Sequence, residues 1–429
     1  MSKRYQCSED FLSRALRVIP LGSQTFSKSK ITLPFGVSPY FVDSAKGSRF
    51  WDVDGNEYID FVNALACVTL GYCDPDVDSA VHEQMKRGVT FSLPHALETE
   101  VAELLVQMVP CAEKVRFAKN GSDVTAAAIR VARAYTGRNR IAVCGYHGWQ
   151  DWYIGSTVRS LGVPQEVREL THVFTYNEIF SLQKLFDTYP GEFAAVILEP
   201  MNAAYPKDNF LQKMQEMTAL HGALLIFDET ITGFRYALGG AQEFFGIVPD
   251  LATFGKGIAN GYPLAALVGK TQYMDVIEDI FFSGTFGGET LSLAAAKAVL
   301  NKLRNQPVLE TLRDRGQKIL LGVAQIISMH NLEHVMNISG HPSWSFLQFK
   351  DCDSFTSWEI KTFFIQEVLQ HGIYTLGTHN MSYAHSESDI CNLLSCYEII
   401  FNSMKTEIAK KTLRKALRCE PLAPLFKVR

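Results

Sequence analysis

The chain lacks several patterns that would have decided its class at once. No two of its nine cysteines stand in a CxxC spacing, and they follow no regular framework, so a disulfide scaffold is not expected. No stretch approaches the roughly 20 apolar residues that a membrane helix needs. The opening "MSKRYQCSEDFLSRALRVIP" has no unbroken apolar core of the signal-peptide kind. Charge of one sign is not in excess: 41 Lys and Arg against 45 Asp and Glu give −4, which offers no electrostatic reason to expect nucleic acid or a membrane surface as partner. Internal repeats and low-complexity segments are absent too. What is left is ordinary globular composition, 47% apolar and 20% charged. The 429 residues suffice for a large domain with a smaller one. A reduced, cytoplasmic setting is the expectation.

Punctuation along the chain supports that division. Residues 9–18 suit a short helix that "VIPLGSQTF" breaks. "FWDVDGNEYIDF" alternates around Asp54-Gly55, a hairpin signal. From about residue 97 helices alternate with short buried strands. "VRFAKNG" reads as a strand, and "SDVTAAAIRVARAYTG" as a helix closed by Gly137. "RIAVCGYHG", "FAAVILEP", "ALLIFDET" and "PLAALVGK" are further apolar runs whose length favours buried parallel strands. The fold class expected is therefore α/β, a mostly parallel sheet covered on both faces by helices, with a smaller α+β domain. Later, "WSFLQFK", "SWEIKTFFIQEVLQHG" and a helix after "AHSESDI" belong to the smaller part. The boundaries are 1–65, contributing to the small domain, 66–315 for the large domain, and 316–429 for the C-terminal small domain. The basic tail "KKTLRKALRCEPLAPLFKVR" reads as a solvated helix face and a frayed end.

In open α/β sheets ligands sit beyond the carboxyl ends of the strands. Several polar residues fall there: Asn120, Gly121 and Ser122 after "VRFA", Tyr146 and His147 after "IAVC", Glu199 after "AAVIL", Asp228 after "ALLIF" and Lys256 after "LATF". Each alone has a plain structural reading, Asp228 as a helix cap, Tyr146 as a packed ring, Asn120–Ser122 as a turn. Together they fit the needs of pyridoxal 5'-phosphate. Lys256, a lone amine between two glycines, can carry the aldehyde as a Schiff base. Asp228 can keep the pyridine nitrogen protonated. The N–H groups of Gly121 and Ser122 at a helix start can bind the phosphate. Tyr146 can stack on the ring. No metal is expected, because His147 has no partner at ligand spacing. A dinucleotide site is disfavoured, since "FGKGIANG" lacks the order of glycines and the acidic residue such a site requires.

These residues and "DVDGNEYIDF", "YHGWQD", "FDETITGFR", "PDLATFGKG" and "SGTFGGE" resemble the class III (ω-type) aminotransferases of PLP fold type I, most closely the glutamate-1-semialdehyde 2,1-aminomutase branch. The resemblance spans most of the chain. It implies Lys256 as the Schiff-base lysine, Asp228 as the partner of the pyridine nitrogen, Gly121 and Ser122 as the phosphate turn, and Tyr146 as the stacking ring. It further implies that Thr230 backs the ring, that Glu199 lies near the active site, and that Asn202 stands where relatives have a glutamine reaching the ring oxygen. Thr285 resembles a threonine that reaches the phosphate across a subunit interface, which implies a homodimer with shared sites.

Three departures bear on substrate. Lys28 stands at about the position of an arginine that reads a carboxylate, and an ammonium cannot make that bidentate fork. "NGSDV" replaces the usual phosphate turn. "GGET" places Glu289 near the cofactor. Lys28, His147 and Glu289 are therefore the candidates for the substrate side, with His147 also readable as an orienting hydrogen-bonder. The variant pattern is similar to that of class III enzymes of surface-polysaccharide and amino-sugar pathways. The expected activity is transfer of an amino group from an amino-acid donor, L-glutamate in the first instance, to a carbonyl acceptor. An intramolecular aminomutase is the alternative, and a non-catalytic protein of the same fold is a third. Arg235 reads as structural rather than as a substrate clamp. His385 reads as a small-domain position facing solvent or a cleft.

Overall fold

The computed structural model describes residues 3–352 and 354–424. The last five residues of the basic tail lie outside the described residues. The chain divides into two compact units. One takes the residues up to Leu65, Leu70–Asp74 and those from Glu310 onward; the other takes Ala66–Thr69 and Pro75–Leu309.

In the first unit, β1 (Val42–Lys46), β2 (Arg49–Asp52) and β3 (Glu57–Asp60) form an antiparallel sheet. The hairpin expected at Asp54-Gly55 joins β2 to β3. Gly55 takes φ 82° there, and Asp52 Oδ1 accepts the N–H groups of Asp54 and Asn56 at 3.0 and 2.8 Å.

The second unit holds β4 (Lys114–Ala118), β5 (Arg140–Cys144), β6 (Thr171–Val173), β7 (Phe193–Leu198), β8 (Leu224–Asp228), β9 (Leu251–Phe254) and β10 (Ala265–Gly269). The first unit is completed by β11 (Met336–His341), β12 (Trp344–Phe349), β13 (Ile373–Tyr374) and β14 (Thr378–Asn380), with β13 parallel to β3.

The sheet of the second unit has seven strands in the order β4-β10-β9-β8-β7-β5-β6. All residues of β7, β8, β9 and β10 are buried, as strands covered on both faces must be. One expectation is corrected. β10, read as a parallel strand, runs antiparallel to both β4 and β9. Its apolar run says that it is buried, but direction is set by the connection, and residues 255–264 are too few for a crossover helix. The two reversals cancel, so β4 runs with β9. The carboxyl ends of β4, β5, β7, β8 and β9 therefore share one rim.

The helix Gly121–Thr136 packs Val124, Ala127, Ala128, Val131 and Ala132 into a core with Ile141, Ile226 and Leu267. Its alanines let the helix backbone approach the sheet, and Gly137 ends it at φ 68°, as the sequence predicts. Among the described residues no helix is long and apolar enough to cross a membrane.

Candidate active site

Asp228 is the last residue of β8, and only 4% of it is exposed. Its Oδ1 accepts the Thr230 N–H at 3.1 Å, the Thr230 hydroxyl at 2.6 Å and the Thr253 hydroxyl at 3.1 Å. Its Oδ2 lies 2.8 Å from His147 Nδ1, while His147 Nε2 lies 3.0 Å from the Cys144 carbonyl. Both ring nitrogens thus face oxygen acceptors. Burial works against the Asp228 anion. The hydrogen bond and charge of His147 outweigh it, with help from Thr230, and hold the carboxyl below the usual carboxylate range.

Lys256 follows β9 by two residues and takes φ 45°, a left-handed conformation that a non-glycine residue adopts only when its surroundings enforce it. Burial pushes its amine below the ordinary lysine range. Cys67, Glu199 and Asp228 oppose that shift, and the Arg235 guanidinium adds to it. Arg235 is itself buried and donates from Nη2 to the Ala66 carbonyl at 3.3 Å and to Thr69 Oγ1 at 3.2 Å. Thr69 closes over the residue after Lys256: a Cβ at Gly257 would stand 2.5 Å from Thr69 Oγ1.

Glycines mark where the loops of the rim touch. A Cβ at Gly121 would meet Thr230 Cγ2 at 3.2 Å, and so would a Cβ at Gly255. Thr230 therefore sits between the start of the helix Gly121–Thr136 and the turn that carries Lys256. Gly148, at φ 105°, lies against Ser122: a Cβ there would overlap Ser122 Oγ and stand 2.8 Å from Ser122 Cβ. Trp149 N–H donates to the same Oγ at 3.3 Å. Replacing Gly148 by alanine should strain the turn by about 1–3 kcal/mol and displace Ser122. If this turn binds phosphate, cofactor affinity measured by fluorescence quenching falls roughly tenfold to a hundredfold. An unchanged affinity would remove the turn from the phosphate site.

Tyr146 is half exposed, and its ring stands nearly perpendicular to that of Tyr153 with the centroids 5.6 Å apart. Its N–H donates to Glu199 Oε1 at 2.9 Å, and Asn202 Nδ2 donates to Glu199 Oε2 at 3.0 Å. Burial, and then the charge of Asp228, push the Glu199 carboxyl up.

The candidates for the substrate side fare differently. His147 is 2% exposed, and its Nδ1 is engaged with Asp228. Glu289 has partners of its own. Its carboxylate caps the helix Thr290–Asn305, accepting Leu291 N–H at 2.6 Å, Ser292 N–H at 3.2 Å and Ser292 Oγ at 2.6 Å, and it pairs with Lys119 at 3.0 Å. A glutamate one residue before a helix is a capping signal that the sequence reading passed over. Thr285 is exposed and, with Lys119, Asp123 and Phe286, lines a cleft of about 810 Å³ beside β4 that does not include Lys256. In the first unit Lys28 is exposed on the turn Phe26–Lys28. His385 is fully buried there, stacked on Phe61 at 4.4 Å with its Nε2 3.1 Å from the Asp60 carbonyl, so it faces neither solvent nor a cleft. Sequence reasoning missed Thr253. Its only signal was its place, three residues before Lys256 on a strand beside Asp228. Among the described residues no group of three His, Cys, Asp or Glu side chains could hold a metal ion.

A buried amine, an ionised buried carboxylate, a half-exposed tyrosine ring and the first turn of a 16-residue helix on one rim suit pyridoxal phosphate in their chemistry. Fold and site together define a pyridoxal-phosphate enzyme of fold type I. Residues 35–386 match the model of the family described as Aminotransferase class-III, and the chain belongs to that family. It is 35% identical over 393 residues to the 3-aminobutyryl-CoA aminotransferase of Cloacimonas acidaminovorans (strain Evry), covering 89% of this chain and 94% of that one. It is 36% identical over 352 residues to the glutamate-1-semialdehyde 2,1-aminomutase of Aquifex aeolicus (strain VF5), covering 78% and 82%. The solved PLP internal aldimine form of the FumI protein from Sphingopyxis sp. MTA144 superposes with a TM-score of 0.88 at 31% identity, over 98% of this chain and 99% of that one. The cofactor is pyridoxal 5'-phosphate, and the substrates are small molecules.

Proposed function

We propose that this chain transfers an amino group from an amino-acid donor, L-glutamate in the first instance, to a separate carbonyl acceptor. The observation that carries the reading is the burial of Lys256 beside Asp228, with the amine pushed down and the carboxyl held ionised. Pyridoxal phosphate, when bound, supplies an electron sink for the pair of electrons left on the donor's Cα. Lys256 Nζ is the covalent anchor. The neutral Nζ would also be the base that takes the proton from the donor's Cα and returns it. Asp228 would keep a proton on the pyridine nitrogen. The N–H groups of Gly121 and Ser122 would hold the phosphate, and Tyr146, Thr230, Glu199 and Asn202 would hold the ring. Thr285 completes the phosphate site of a second copy in a homodimer.

Relatives named glutamate-1-semialdehyde 2,1-aminomutase, at 32–36% identity, keep the intramolecular reaction as the second reading. One experiment separates them. L-Glutamate is titrated into loaded enzyme without acceptor, with Lys256→Ala as control, and visible absorbance and released 2-oxoglutarate are followed. One equivalent of 2-oxoglutarate per site, with loss of the lysine-dependent band, is the expected result. A band that no amino donor discharges would favour the aminomutase. The discharged enzyme then serves to screen carbonyl acceptors, keto-sugars included.

A further inference from the structure

Thr253 carries a hydroxyl in a place where β-branched packing alone would be met by valine. It is fully buried, and on the parallel pair β8–β9 its Cα lies opposite that of Asp228. The pairing is fixed by the Glu229 N–H donating to the Thr253 carbonyl at 2.8 Å. The hydroxyl is thereby aimed across the sheet at Asp228 Oδ1, 3.1 Å away. With the two donors of Thr230, three groups converge on Oδ1, whereas among the described residues Oδ2 receives His147 alone. Three donors on two sides therefore share Oδ1, one of them anchored on the neighbouring strand, while Oδ2 retains capacity.

We propose that Thr253 is a positioning residue for Asp228: by occupying Oδ1 together with Thr230, it leaves Oδ2 as the oxygen that receives the pyridine N–H. This rests on the reading of Asp228 given above. The fixed cross-strand bond removes the rotation that would otherwise exchange the two oxygens. It also favours the anion, as donors to a carboxylate do. The titratable groups around Asp228 are His147, Glu199, Lys256, Tyr146 and Tyr153, and a change at Thr253 alters none of them.

The test uses holoenzyme loaded with pyridoxal phosphate labelled with ¹⁵N in the ring, whose nitrogen shift reports protonation directly. Thr253→Val is expected to move that titration down by about one pH unit, a tenfold change in the proton's equilibrium. A fall in kcat of similar size should come with little change in KM. Thr253→Ser, which keeps the donor and loses only a methyl, should restore the parent titration. An unaltered ring-nitrogen titration in Thr253→Val, alongside a shifted one in Asp228→Asn, would overturn the inference and leave the role of Asp228 standing. So would a serine variant that behaves like the valine. A titration unmoved by Asp228→Asn as well would instead overturn the underlying reading.

Discussion

Lys256→Ala should lower turnover by about 10⁴-fold or more, since both the covalent anchor and the proton-moving base go with the amine. The melting temperature of the unloaded protein should change little. A desolvated amine is removed, which stabilises, and its stem packing is lost, which opposes. The left-handed backbone at φ 45° costs alanine about as much as lysine. Because burial pushes the amine down, the neutral, competent form is populated at lower pH than for a free lysine. The parent's pH–rate profile should therefore rise through a value below about 10.4, and that limb should be missing from the residual activity of the variant. Turnover within tenfold of the parent would remove Lys256 from the chemistry.

Glu229→Gln should do the reverse, costing stability and sparing the chemistry of loaded sites. Glu229 adjoins Asp228 in sequence but points into the fold and is fully buried. Its Oε2 accepts the Thr232 hydroxyl at 2.5 Å and the Ala241 N–H at 2.7 Å, and its Oε1 accepts the Gln242 N–H at 2.9 Å. The carboxylate thus ties the turn after β8 to the helix Ala241–Phe245. There is no room for adjustment, because a Cβ at Gly240 would stand 2.6 Å from Glu229 Oε2. An amide in its place turns one acceptor into a donor against N–H groups, at a cost of about 3 kcal/mol. A melting temperature lower by roughly 5 °C is expected, with kcat per bound cofactor within about threefold of the parent. An unchanged melting temperature would show that the buried cap holds nothing.

The neighbouring carboxylates show what the sequence could and could not tell. "FDET" marks two acids at a strand end, and the strand-end rule singles out the one on the last strand residue, Asp228. Local signals read cleanly because their causes are local: Asp54-Gly55 for a hairpin, Gly137 for a helix stop, apolar runs for buried strands. The strand-end residues were legible because the rim of an α/β sheet is a topological place that sequence order predicts. What stayed hidden depends on residues far apart in the chain. Nothing near Thr253 says that Asp228 lies across from it. His147 looked available for substrate because its acceptor is on another strand. Glu289 was placed near the cofactor, and its use by the first turn of the following helix went unread. The direction of β10 could not be taken from an apolar run that reads the same either way.

That reversed strand also bears on how the protein is made. β4, which leads into Asn120–Ser122, hydrogen-bonds in the sheet only to β10, about 150 residues further on. A chain still emerging from the ribosome can assemble β5 to β9 while β4 waits unpaired. Pairings of such long sequence separation form late and slowly. The helix start after β4 and the lysine-bearing turn after β9 therefore meet only when the sheet closes. The cofactor can reward the finished fold by mass action, but it gives no foothold to a partly built one.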